Sequence, residues 1–192
     1  MPLSLDTPVV PFVRDCLLAA AVGVRYGVPL EVGVRGIESV GPAPGRVERI
    51  DRGQETPLFI DAPTSRHALA ATLASLRRLT RGRLAVIAEE PLVAHLGGDA
   101  FGPLVARHCD ACVVAPTSVL ADDPADTDLA AYARIDRLLG SLGPDDCGVV
   151  LGGSGGDDTS PGPGRRFPLA TLLEAWLQIA QAPVELPPRR AA

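Results

Sequence analysis

The spacing of apolar residues changes character partway along the chain. Over residues 14–26, Leu17, Ala21 and Val24 fall on one face of a helical wheel, and a second helical pattern follows over 30–40, weakened by Gly33 and Gly36. "GVP" interrupts the two, which together predict a helical hairpin. After "GPAPG" the pattern turns to short apolar runs at 58–60, 84–88, 111–115 and 148–151, which read as buried strands. Helical windows separate and follow them: 67–79 with Leu69, Leu73 and Leu76 on one face, a broken window over 91–108, then 126–139, and finally 167–180 around Trp176.

Strand and helix in alternation predict a Rossmann-like α/β fold, a mostly parallel sheet with helices on both faces, preceded by the small hairpin. The expected divisions are 1–44 for the hairpin, 45–182 for the α/β domain and 183–192 for a tail. Ligands of such sheets sit at the carboxyl ends of strands. That directs attention to "DAPTSRH", "EEPL", "PTSVLADDP" and "GGSGGDD".

Composition narrows the chemistry. With 192 residues, 46% of them hydrophobic, the chain can bury a full core, and its charge of −5 with scattered arginines offers no basic stripe for nucleic acid. The longest apolar run, 16–24, is too short to cross a bilayer and lacks the flanks of a signal peptide, so a cytoplasmic protein without membrane contact is expected. Neither lysine nor asparagine occurs, which excludes a phosphate-gripping, Schiff-base or carbamylated lysine. "HCDAC" sets His108 beside Cys109 and Cys112, but further ligands at zinc spacing are missing, as is the helix start that activates a redox pair. The two are read as buried structural thiols.

Several segments in order resemble one family. "DCLLAAAVGVRYGVPLE", "PGRVERID", "LFIDAPTSRHALAATLASLRRLTRGRLAVI", "CDACVVAPTSVLADDP" and "VVLGGSGGD" followed by "RRFPL" resemble the Mur ligases, in particular their UDP-MurNAc-tripeptide synthetase branch, over about residues 12–176. The resemblance implies that 1–44 corresponds to the last helices of that family's central ATPase domain, and the rest to its C-terminal Rossmann-like domain, with "PGRVE" as the join. It also implies a chemistry, activation of a carboxylate by ATP followed by attack of an amino acid. That chemistry needs a phosphate loop with lysine, magnesium ligands and a carbamylated lysine. No lysine is present to supply them.

The family's motifs are altered where they carry function. Against D-Y-A-H-T-P-D-A-L the chain reads "DAPTSRHAL", keeping Asp61 but placing Ala62 for tyrosine and Thr64 for histidine. The position of D-N-P-R reads "TSVL", Thr117 to Leu120, without an arginine to fork onto a substrate carboxylate. A-G-K-G-H-E appears as "GGSGGD", with Ser154 for lysine, Gly156 for histidine and Asp157 as the surviving acid, and the N-x-x-N that the family has before its "LAA" helix is Phe12 and Asp15.

Other chemistries fit less well. "GGSGG" matches the G-x-S-x-G elbow of α/β-hydrolases, but "DDTSPGPG" cannot begin the helix that must follow, and His67, His95 and His108 all precede Ser154. Glu89, Glu90, Asp122 and Asp123 could form a metal site, against which stands the commoner reading of solvated loop acids. His67 lies in the first turn of a helix, where an anion could bind, or where Thr64 or Ser65 simply caps the helix.

The expectation is therefore a catalytically degenerate Mur-ligase-like protein that serves as a binding or accessory subunit. The alternative is the C-terminal half of a split ATP-dependent ligase that completes an active site in trans. No catalytic residue, cofactor or metal is expected. Candidate ligand-binding residues are Asp61, Thr64, Ser65, Arg66, His67, Ser118, Ser154 and Asp157, with Asp61, Ser118 and Ser154 sharing a shallow cleft for a small-molecule ligand. Candidate interface residues are Leu17, Leu18, Ala21 and Val24, facing a second copy in a homodimer or a separate protein subunit.

Overall fold

The computed structural model describes residues 9–40, 43, 45–120, 128–153 and 168–180. Two helices come first, α1 (Val10–Arg25) and α2 (Leu30–Ser39). Pro11 stands in the first turn of α1, where a missing N–H costs nothing, and Gly27 at φ +81° reverses the chain before Pro29 leads into α2. The sheet elements follow: β1 (Glu48–Ile50), β2 (Leu58–Asp61), α3 (Arg66–Leu79), β3 (Leu84–Glu89), α4 (Glu90–His95), α5 (Gly98–Ala106), β4 (Ala111–Ala115), a 3-10 turn at Thr117–Leu120, α6 (Leu129–Gly140), β5 (Cys147–Leu151) and α7 (Pro168–Ala180).

The strands form one sheet in the order β1-β2-β5-β3-β4. β2, β5, β3 and β4 are parallel, and β1 alone runs antiparallel, pairing Glu48 with Ile60 and Ile50 with Leu58. Alternation of side chains splits the core into two layers. On one face Leu69, Leu73 and Leu76 of α3, with Leu92 and Phe101, cover Phe59, Val86, Val149 and Leu151. On the other, Ile135 and Leu139 of α6 and Leu169, Leu173 and Leu177 of α7 cover Leu58, Ile60, Ile87 and Val150. Each fully buried leucine contributes roughly 1.5–3 kcal/mol of apolar transfer. On this second face Trp176 is half-buried, and its Nε1–H donates to Asp136 Oδ1 at 2.8 Å.

The fold class matches the expectation, with differences at particular elements. β1 was not expected; its three residues alternate too briefly to register as a strand, and only pairing with β2 defines it. The broken window resolves into two helices because Gly97, at φ +83°, ends α4 and caps α5. "TSVL" forms the 3-10 turn. The thiols are corrected in part: Cys16 and Cys147 are buried and Cys109 half-buried, but Cys112 is exposed, because β4 is an edge strand. Burial pushes the Cys109 thiol up to about 12 and Cys147 to about 11, so neither supplies a thiolate near neutral pH. Among the described residues no group of His, Cys, Asp or Glu could hold a metal, and no helix is long and apolar enough to cross a membrane.

The hairpin is attached rather than free. Val9 is fully buried in the layer that holds Leu69, Leu73 and Leu76, and α1 touches α3. Leu17, Leu18, Ala21 and Val24 nevertheless remain exposed.

Candidate functional site

At the carboxyl edge of the sheet, β2 ends on Asp61, β3 on Glu89, β4 on Ala115 and β5 on Leu151. Two of these are acids, and both are buried. Asp61 Oδ1 accepts the backbone N–H of Val47 at 3.2 Å, and Oδ2 accepts the hydroxyl of Thr72 at 2.8 Å. Burial raises its pKa, opposed by those hydrogen bonds and by Arg46. The expected cleft is therefore corrected. Asp61 points into the α3 layer and is consumed by the fold, while Ser118 sits half-buried in the 3-10 turn that packs on α6 and α7, across the sheet. Ser154 and Asp157 lie outside the described residues.

Asp61 holds the segment that joins hairpin and sheet. Gly45 has φ +70°, and Val47 has φ +47°, a conformation that a β-branched side chain adopts at a cost of about 1–3 kcal/mol. Ala62 N–H donates to the Gly45 carbonyl at 2.8 Å, and Arg46 Nη1 donates to the Ala62 carbonyl at 2.6 Å. The strained residue is thus fixed from three sides: by Asp61, by the β2 terminus and by its own buried side chain.

Glu89 acts similarly on the neighbouring loop. Its Oε1 accepts Leu169 N–H at 2.9 Å, in the first turn of α7, and Oε2 accepts Gly153 N–H at 3.1 Å. Burial raises its pKa, with the two backbone donors opposing. Glu89 is accordingly not the solvated loop acid expected from sequence, although its neighbour Glu90 is exposed. Asp122 and Asp123 lie outside the described residues. Gly152 N–H, donating to the Asp61 carbonyl at 3.2 Å, completes the tie between β2 and the start of the glycine loop.

What remains open to a ligand is the start of α3. Thr64, Ser65, Arg66 and His67 are all exposed. Ser65 is the cap, its Oγ accepting Ala68 N–H at 3.2 Å. Thr64, Ser65 and Arg66 line a concavity of about 310 Å³ whose opposite wall is His95, Leu96 and Gly97. Arg66, His95 and the amino end of a 14-residue helix line it, residue types suited to a small anion. His95 was missed as a site residue. The signal was available in Pro91, in the first turn of α4, which follows β3 directly and ends on His95.

A larger concavity, about 350 Å³, opens at the opposite end of the strands beside Thr80, Arg81, Asp145 and Asp146. The amino end of a parallel sheet is not where such folds bind ligands. Here Asp146 is engaged with the Arg83 and Gly143 N–H groups and the Arg83 guanidinium.

The UDP-N-acetylmuramoyl-L-alanyl-D-glutamate–2,6-diaminopimelate ligase of Corynebacterium efficiens is 35% identical over 132 residues, 65% of this chain and 24% of that protein. A chloroplastic homolog of the same ligase in Arabidopsis thaliana is 37% identical over 75 residues, 39% of this chain and 10% of that one. The chain spans about a quarter of the first relative's length and about a tenth of the second's. Among solved structures, a ligase of the same name superposes with a TM-score of 0.54 at 16% identity, covering 93% of this chain and 40% of that chain. Folylpolyglutamate synthase of Thermotoga maritima gives 0.54 at 15% identity, over 79% and 38%. At such identities these two show a common fold. No protein-family model matches the chain.

Proposed function

We propose, from the premise that the chain belongs to the Mur ligase family over the stretch it shares with these relatives, that it is a Mur-ligase-like binding or accessory module whose own residues no longer perform ligation. The observation that carries this reading is the state of the carboxyl edge. The aspartate that the family motif retains is spent on Val47 and Thr72, and Ala62 and Thr64 stand where the motif has tyrosine and histidine. The "TSVL" turn adds no arginine for a substrate carboxylate. What the edge offers instead is an open recess of about 310 Å³ with Thr64, Ser65 and Arg66 on one side and His95 on the other.

In this reading residues 1–44 are a helical attachment, 45–182 the binding domain and 183–192 a tail, and the protein works in the cytoplasm without a cofactor of its own. The test is phosphate release and amide formation by the purified chain, given ATP, magnesium, UDP-N-acetylmuramoyl-L-alanyl-D-glutamate and diaminopimelate. No turnover above a buffer control is expected; turnover that tracks enzyme concentration would overturn the reading.

One observation favours the alternative of a split ligase acting in trans. The join at Gly45 to Val47 is held in a strained, specific conformation, which a module with no domain to orient would have little use for. A partner fragment carrying a lysine-bearing phosphate loop should then produce amide only when mixed with this chain. Inactivity of the mixture counts against it.

A further inference from the structure

The recess of about 350 Å³ at the amino end of the strands has walls that the chain ties together. Three segments meet around it: the β1–β2 pair, the end of α3 and the turn before β5. Gly82 N–H donates to the Asp145 carbonyl at 2.7 Å, and the Thr56 hydroxyl donates to the Gly143 carbonyl at 3.0 Å. Arg77 donates to Asp110 at 2.7 Å and to the Thr80 carbonyl at 2.9 Å, while the Arg83 N–H and guanidinium reach Asp146 at 2.7 and 2.8 Å. A concavity already held in one shape has little freedom left to lose when a molecule enters it.

The groups left over by those ties say what kind of molecule fits. Phe59, Leu76 and Cys147 are the buried part of the lining, and burial keeps the Cys147 thiol neutral by pushing it up to about 11, so all three present apolar surface. Leu79, the last residue of α3, lines the recess with 48% of its surface exposed. Arg49 pairs with Phe59 across β1 and β2, which sets its side chain on the face that Phe59 and α3 share. Arg77 and Arg83 are spent on the walls, but among the described residues Arg49 and Arg81 make no hydrogen bond or ion pair. With Asp146 already engaged, these two guanidiniums stand against the single carboxylate of Asp145, a local positive excess in a chain of charge −5. Guanidinium groups beside apolar surface match a ligand that is anionic at one end and apolar at the other.

We infer that this recess is a second binding site, for a small carboxylate with an aromatic or branched apolar body, its carboxylate met by Arg49 and Arg81 and its body by Leu79 and Phe59. It lies away from the edge where folds of this type carry their ligand chemistry, so its ligand is separate from whatever the carboxyl edge takes. The inference goes beyond the accessory reading and does not depend on it: turnover of ATP would sink that reading and leave this one standing. Phenylacetate, titrated into the full chain and followed by amide nuclear magnetic resonance, should shift the Arg81, Gly82 and Asp145 resonances saturably, with a Kd of about 1 mM or tighter. Acetate, which lacks the body, and phenylacetamide, which lacks the charge, should each bind at least about tenfold more weakly. The double variant Arg49→Gln, Arg81→Gln should lose about tenfold in affinity while keeping its unfolding midpoint, since neither side chain is bonded within the chain, and Asp145→Asn should bind more tightly. The proposal is overturned by the absence of a saturable shift up to about 10 mM phenylacetate, or by shifts confined to Thr64–His67 or to α1. Phenylacetamide that binds as well as phenylacetate overturns it too, as does a double variant that binds as tightly as the wild type.

Discussion

The two ends of the sheet use their acids in opposite ways. At the carboxyl end Asp61 and Glu89 are buried, their pKa values raised by desolvation, and each holds a loop by accepting backbone N–H groups. At the amino end Asp146 and Asp110 are partnered by arginine and backbone near solvent. The N–H groups of Arg83 and Gly143 and the Arg83 guanidinium hold Asp146 down at about 2, and the Leu84 N–H and Arg77 lower Asp110. The second pattern is ordinary surface stitching. The first internalises carboxylates at the edge where a fold of this type keeps its ligand chemistry, which ties scaffold and site to the same atoms.

The comparison breaks first at Asp61. Asp61→Ala strands the Val47 N–H and the Thr72 hydroxyl in the interior and releases the strained hinge, so urea unfolding should show a loss of about 2–3 kcal/mol. Asp61→Asn, which can still accept from Val47 and donate to Thr72, should retain most of it. At the amino end the sensitive residue is a glycine: a Cβ on Gly82 would lie 2.3 Å from Asp146 Oδ1 and 3.0 Å from the Asp145 carbonyl. Gly82→Ala should cost about 1–2 kcal/mol by forcing these apart, again read by urea unfolding. Ser65→Ala removes the α3 cap and should cost about 1 kcal/mol.

The smallest effects are slopes with pH, of opposite sign at the two ends. Asp61 keeps its proton to higher pH when folded than when unfolded, so its contribution falls as pH rises from the ordinary 3.8 through the raised folded value. Asp61→Asn should therefore gain on the wild type across that window, and a gap that stays flat would mean that Asp61 is not desolvated. The contribution of Asp146 is present above 3.8 and lost as pH falls through about 2, so the disadvantage of Asp146→Asn should close toward acid. Unfolding midpoints measured in a pH series check both.

Most of the layer structure was legible because periodicity reports which face a residue buries: Leu69, Leu73 and Leu76 declared α3, and the apolar runs declared four strands. The edge was legible only as a location. Asp61 was placed at the carboxyl edge as the motif's retained acid, but its direction depends on Thr72 and Val47, eleven residues ahead and fourteen behind, and no local pattern encodes that pairing. β1 and the exposure of Cys112 were hidden for the same reason, since strand order decides them. His95 was overlooked because it shares a recess with Arg66 only across the edge, a relation visible only once α4 is placed.

Trp176 is the chain's one tryptophan, and it sits in the α6–α7 layer with its indole N–H held by Asp136. Intrinsic fluorescence excited at the red edge is thereby a one-sided witness. It should report loosening of that layer and stay silent to events on the α3 side or at the hairpin. A thermal melt followed by indole emission, laid over one followed by helical ellipticity, then becomes a direct reading of whether the two faces of the sheet let go together.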